Sequence, residues 1–169
     1  MTWNETFESL FNRCLQLYVG GNRNFESYYS EEDLAFLGSI GYKPREFFDF
    51  VEDYGDGADP LPSTAMLIAA VRRDYFIVVQ EGVFSDEVLT SSSAPGRGES
   101  LGGMSYLPRI IAKAEAKLRG ELDSNLMYCC GGDRGFLRQH GDLHPADFLR
   151  RVWAADGDHQ QIVDWIKGQ

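Results

Sequence analysis

The residues best suited to chemistry lie in Met127-Tyr128-Cys129-Cys130-Gly131-Gly132-Asp133, followed by His140 and His144. Thiolate, imidazole and carboxylate are the ligand types zinc prefers, and histidines at that interval can share a helix face. The spacing argues against a metal centre, because Gly141 and Pro145 imply a turn between the histidines and adjacent cysteines seldom ligate one ion together. The glycines and Asp133 place the thiols just before a helix, where the dipole stabilises a thiolate. A disulfide between neighbouring cysteines strains the peptide joining them, however, and no C-x-x-C resolving arrangement is present. No metal and no cofactor is assigned, and the stretch reads first as a helix-to-helix connection.

Arg72-Arg73-Asp74-Tyr75 is a second cluster, since paired guanidiniums can grip a carboxylate or phosphate. With acids in excess, the simpler expectation is that these arginines lock helices by pairing with Glu52, Asp53 or acids of the second half. A third cluster is Phe25-Glu26-Ser27-Tyr28-Tyr29-Ser30-Glu31-Glu32-Asp33. Ser30 followed by Asp33 is a helix start, which accounts for the acids, and the tyrosines suit a core or staple as well as a pocket wall. No P-loop, dinucleotide-binding glycine pattern, nucleophile elbow or His-Glu-x-x-His motif occurs. No catalytic residue is therefore named. The candidate ligand-binding residues are Arg72, Arg73, Tyr28, Tyr29, Cys130 and Asp133.

The elements that must position these residues are helical. The chain has 169 residues, 43% of them hydrophobic and 13% aromatic, enough to bury a core. Its net charge of -10 disfavours nucleic acid and anionic membrane as partners. The longest aliphatic run, Ala65 to Val71, is too short to span a membrane. The opening residues carry no basic flank or apolar core of an export signal, and three cysteines, two of them adjacent, make no disulfide framework. A soluble cytoplasmic protein with reduced thiols is expected.

An internal repeat is also expected. At an offset of 100 residues, Asp33, Phe36, Leu37 and Gly41 fall on Asp133, Phe136, Leu137 and Gly141, Gly20 on Gly120, and Tyr28 on Tyr128. After one inserted residue, Pro44, Phe47 and Val51 fall on Pro145, Phe148 and Val152. Chance gives about one match in fifteen positions. The matched residues also punctuate helices: glycine closes one, proline opens the next, and Glu46 or Asp147 reaches the third helical position, where a carboxylate meets unpaired amides. Lys43 and His144 fall at the cap positions and are poor caps by type.

Apolar periodicity then predicts helices over 3–18 and 107–118, short helices near 31–40 and 132–140, proline-initiated helices near 44–54 and 145–155, and closing helices near 62–80 and 158–167. The fold class is all-α: two tandem duplicated helical units, 1–80 and 105–169, packed as one pseudo-two-fold bundle around a shared core, with 81–104 as a connecting segment. Residues 1–80 hold 13 acids and 6 bases, and the remainder 13 and 10, so the acidic excess lies in the first half.

Leu101-Gly102-Gly103 followed by Leu107-Pro108-Arg109-Ile110-Ile111-Ala112-Lys113-Ala114-Glu115-Ala116-Lys117-Leu118-Arg119-Gly120 resembles a helix of an uncharacterised bacterial family, the domain of unknown function numbered fifty sixty-nine. Tyr128 and Cys130-Gly131-Gly132-Asp133 stand where that family shows Tyr, then Cys-Pro-Leu-Asp; Gly131-Gly132 departs from it. Ser30 to Leu37 and Ala69 to Phe76 are similar to segments of longer relatives. The resemblance implies a soluble bacterial protein and no particular reaction. The functional expectation is a non-catalytic module that binds a protein partner or a second copy of itself. The alternative is a small-ligand-binding protein or enzyme with a pocket between the halves.

Overall fold

The computed structural model describes every residue, Met1–Gln169. Its regular structure is eight α-helices, a short 3-10 turn and one small hairpin, so the fold is all-α as the periodicity predicts. The chain forms two compact units, Met1–Val83 and Phe84–Gln169.

The first unit contains α1 (Trp3–Val19), α2 (Glu31–Ser39), α3 (Pro44–Gly57) and α4 (Pro62–Val78). Phe7, Leu10, Phe11, Cys14 and Tyr18 recur at helical spacing on α1 and are all buried. They meet the buried Phe47, Phe48 and Val51 of α3, with the Phe7 and Phe47 rings edge to face at 5.0 Å. Each buried phenylalanine is worth about 1.5–3 kcal/mol, so this aromatic seam is a substantial source of the unit's stability. Gly41, at φ 72°, closes α2 in the left-handed conformation, and the Tyr42 N–H donates to the Leu37 carbonyl at 2.9 Å. Pro44 then opens α3, and the Glu46 carboxylate accepts from the Lys43 N–H at 3.0 Å.

The second unit contains α5 (Leu107–Arg119), α6 (Gly131–Gln139), α7 (Pro145–Ala155) and α8 (His159–Lys167). Its core gathers Ile110, Ile111 and Leu118 with Leu137, Phe148, Leu149, Val152, Ile162 and Val163. The connection from α6 to α7 follows the first unit's pattern with one extra residue: the Leu143 N–H donates to the Leu137 carbonyl at 3.0 Å, and the surplus Asp142 sits in the turn at φ 53°. One cap differs from expectation. Asp147 does not take the N-cap amide as Glu46 does, but pairs with Arg150 at 2.9 Å, and His144 itself caps α7, its Nδ1 accepting from the Ala146 N–H at 3.1 Å. A ring nitrogen on a helix-start residue reaches the same amides that a serine hydroxyl would, which residue type alone does not reveal.

From Phe84 onward, the stretch expected to connect the halves belongs to the second unit. Strands β1 (Ser100–Leu101) and β2 (Met104–Ser105) form a hairpin across Gly102-Gly103. Leu89 pairs with Leu122 in a parallel bridge, with the Leu89 N–H donating to the Glu121 carbonyl at 2.7 Å. The buried Arg109 reaches out of α5 to the Pro95 carbonyl at 2.8 Å and the Ser91 hydroxyl at 3.3 Å, pinning the serine-rich loop.

Candidate functional site

The densest polar centre surrounds Asp133, at the third position of α6 and 0% exposed. A buried carboxylate needs a donor for nearly every lone pair, and this one has four bonds. The Lys113 ammonium donates to Oδ1 at 2.8 Å and Oδ2 at 2.7 Å, the Tyr106 hydroxyl to Oδ1 at 2.8 Å, and the Cys129 N–H to Oδ2 at 2.7 Å. Lys113 is 2% exposed, because it lies on the inward stripe of α5 with Ile110, Ala114 and Lys117. Two donors come from left-handed non-glycine residues, Tyr106 at φ 76° and Cys129 at φ 69°. Such conformations cost about 1 kcal/mol or more each, and here they aim a hydroxyl and an amide at one carboxylate.

Burial, then the nearby Asp133 charge and the hydrogen bond to it, raise the Tyr106 pKa, so its hydroxyl stays protonated and donates. Cys130 is the N-cap of α6 and partly exposed, and Lys113 donates to its Sγ at 3.2 Å. Gly132 is required by this packing, since a Cβ there would stand 2.9 Å from the Tyr106 hydroxyl oxygen. The cluster thus holds a fully bonded ion pair, with the half-buried Cys130 at its edge.

The other candidate residues are engaged elsewhere. Arg72 is fully buried, donating from Nε to the Gly41 carbonyl at 3.0 Å and from Nη1 to Gln80 at 2.6 Å, with its guanidinium 5.0 Å from the Phe76 ring centre. It ties the α2–α3 corner to α4. Arg73 pairs with Asp74 at 3.1 Å and lies over the Trp3 ring. Buried Tyr28 donates to the Asn22 carbonyl, and Tyr29 to the Pro44 carbonyl at 3.0 Å, so both tyrosines fasten the loop before α2. His140 stacks on Phe136 with its Nδ1 at 2.8 Å from the Phe136 carbonyl, and nowhere do three His, Cys, Asp or Glu side chains converge to hold a metal.

Two open clefts lie in the second unit. One, of about 490 Å³, is lined by Asp147, Arg150, Arg151 and Trp165, and the other, of about 410 Å³, by residues including Glu87, Leu89, Glu115 and Arg119. Neither includes a candidate residue. Sequence reasoning missed Lys113 and Tyr106, the two side chains that hold Asp133. A signal for Lys113 existed: Arg13 lies at the offset that relates Asp33 to Asp133, and Arg13 pairs with Asp33 at 2.6 Å as Lys113 does with Asp133. No family model, no curated protein and no solved structure matches the chain.

Proposed function

We propose that the protein is a non-catalytic helical module that associates with a second copy of itself through the exposed face of α4. The observation that carries this reading is the run of aliphatic side chains at the end of that helix. Ile77, Val78 and Val79 are exposed, Val78 to 70%, and Leu67 lies exposed further up the same helix. An amphipathic helix normally turns charge to solvent, yet residues 61–79 contain only Arg72, Arg73 and Asp74 as charged groups, and Arg72 is buried. In an acidic unit this is the surface on which two copies repel least. Antiparallel pairing about a two-fold axis sets Leu67 against Val78, a self-complementary arrangement.

Three further readings belong to the same proposal. The matched helix ends and the Arg13–Asp33 and Lys113–Asp133 pairs support descent from one duplicated unit. The motif at Leu107-Pro108-Arg109 supports kinship with the uncharacterised bacterial family. Free thiols at Cys14, Cys129 and Cys130, with no helix long and apolar enough to cross a membrane, support a reducing, cytoplasmic setting. Sedimentation velocity at rising concentration tests the association. The parent chain is expected to move toward the mass of a dimer, and the Ile77→Glu, Val78→Lys double variant to stay monomeric with unchanged helical circular dichroism. A parent chain that remains monomeric throughout overturns the proposal.

A further inference from the structure

Between α7 and α8, the open cleft of about 490 Å³ brings a tryptophan together with two guanidiniums. Asp147, Arg150, Arg151 and Ala154 recur at helical spacing and form one stripe of α7, and Trp165 of α8 lies across from them. The Trp165 indole is half-buried and packs on the buried Phe148 ring at 6.4 Å, which fixes it in place. The exposed Arg151 guanidinium lies 5.3 Å from the indole ring centre. The charges here do not balance. Asp147 is engaged by Arg150 at 2.9 Å, and the other helical neighbours in reach of Arg151 are Phe148, Ala154 and Ala155. Arg151 therefore has an aromatic ring beside it and no paired carboxylate, in a chain of 26 acids and 16 bases. Asp147, Arg150 and Arg151 together leave one positive charge on the cleft, and Ala154 takes up little of its space.

We propose that this cleft binds an aryl carboxylate, a planar ring that carries a single carboxylate a short reach away. The carboxylate accepts from the parallel N–H groups of the Arg151 fork, the counter-charge that α7 does not supply. The ring lies against the indole, where flat aromatic surfaces gain contact area and a favourable edge or offset geometry. One net positive charge suits a monoanion over a phosphate dianion, and the volume falls within the usual range for small-molecule sites. The open mouth admits a free aryl acid or the C-terminal aromatic residue of a peptide, which present the same chemistry. The cleft lies wholly within the second unit, so this proposal and the association through α4 stand or fall separately.

The test follows the Trp165 indole N–H by NMR of the full chain at neutral pH, its signal assigned from a Trp165→Phe spectrum. 3-Phenylpropionate is expected to shift that signal saturably, with a Kd of about 1 mM or tighter. Its neutral counterpart, 3-phenylpropionamide, is expected to bind at least about fivefold more weakly. Ala154→Glu gives Arg151 a carboxylate from its own helix, three residues on, and is expected to weaken the acid at least about fivefold with helical circular dichroism unchanged. Arg151→Gln is expected to do the same. A peptide ending in phenylalanine that binds tighter than the free acid, and loses this on amidation, identifies a chain end as the source; one that binds more weakly identifies a free acid. A Trp165 signal that does not move by about 10 mM acid overturns the proposal. So do equal binding of acid and amide, tighter binding of phenyl phosphate, or an Ala154→Glu variant that binds the acid as the parent does.

Discussion

Asp33 and Asp133 each occupy the third position of a nine-residue helix, each pairs with a cation from the long helix that precedes it, and the two are treated differently. Asp33 completes a capping box: its Oδ2 accepts from the Ser30 N–H at 2.7 Å and the Ser30 hydroxyl at 2.8 Å, and Arg13, 47% exposed, reaches in from outside. Asp133 is fully buried, with an ammonium instead of a guanidinium as its partner and a cysteine where the serine would cap. The local logic of a helix start is the same in both places. Burial changes what is at stake, because an exposed carboxylate that loses a partner returns to water while a buried one keeps its full desolvation cost.

The widest separation between the two centres is expected when each carboxylate is removed. Asp133→Ala leaves the Lys113 ammonium buried without its counter-charge, and urea unfolding of the second unit is expected to show a loss of about 3–5 kcal/mol. The double variant Lys113→Met, Asp133→Leu removes both charges at similar volume and is expected to recover most of that loss, since the pair's attraction mainly offsets its own desolvation. A single variant costing less than about 1 kcal/mol would mean that water reaches the ammonium and would erase the distinction drawn here.

Asp33→Asn is expected to cost about 1 kcal/mol, the scale of a cap and a partly exposed ion pair. Its pH dependence has a definite sign. Burial alone would raise the Asp33 pKa, but the bonds from the Ser30 backbone and hydroxyl, followed by Arg13, outweigh it and hold the carboxyl below its ordinary value. A carboxyl lowered in the folded state contributes its stability in full above the unfolded value, and loses it as pH falls through the folded one. The difference between Asp33→Asn and the parent chain, followed by thermal unfolding, is thus expected to be constant near neutrality and to shrink below about pH 4.

What the sequence discloses follows the range of the interactions involved. Pro44, Pro145, Gly41 and Gly141 act within one turn of themselves, so the starts of α3 and α7 and the closures of α2 and α6 fall where those residues predict. The hairpin at 100–105 gave no warning, because two-residue strands are too short to alternate. Lys113 carries no local signal, because a lysine on a helix normally turns outward, and its partner lies twenty residues along the chain, across a loop that must first fold. Cys130 and Asp133 stand out by residue type and by their place at a helix start. Their meeting depends on Tyr106 and Cys129 adopting left-handed backbone that no local pattern announces.

The smallest effect is expected from exchanging the two caps, and it bears most directly on why a cysteine stands at position 130. A thiol is a weak acceptor, so Cys130 caps α6 poorly where Ser30 accepts from the Asp33 N–H at 3.2 Å. Ser30→Cys is expected to destabilise the chain by about 0.5–1 kcal/mol. The reverse change, Cys130→Ser, introduces a hydroxyl of nearly the same shape that can take the Asp133 amide proton and still accept from Lys113. It is expected to be neutral or to stabilise by up to about 1 kcal/mol in the same unfolding measurement. A loss on the scale of the Asp133→Ala variant would show that the sulfur fills space the fold depends on.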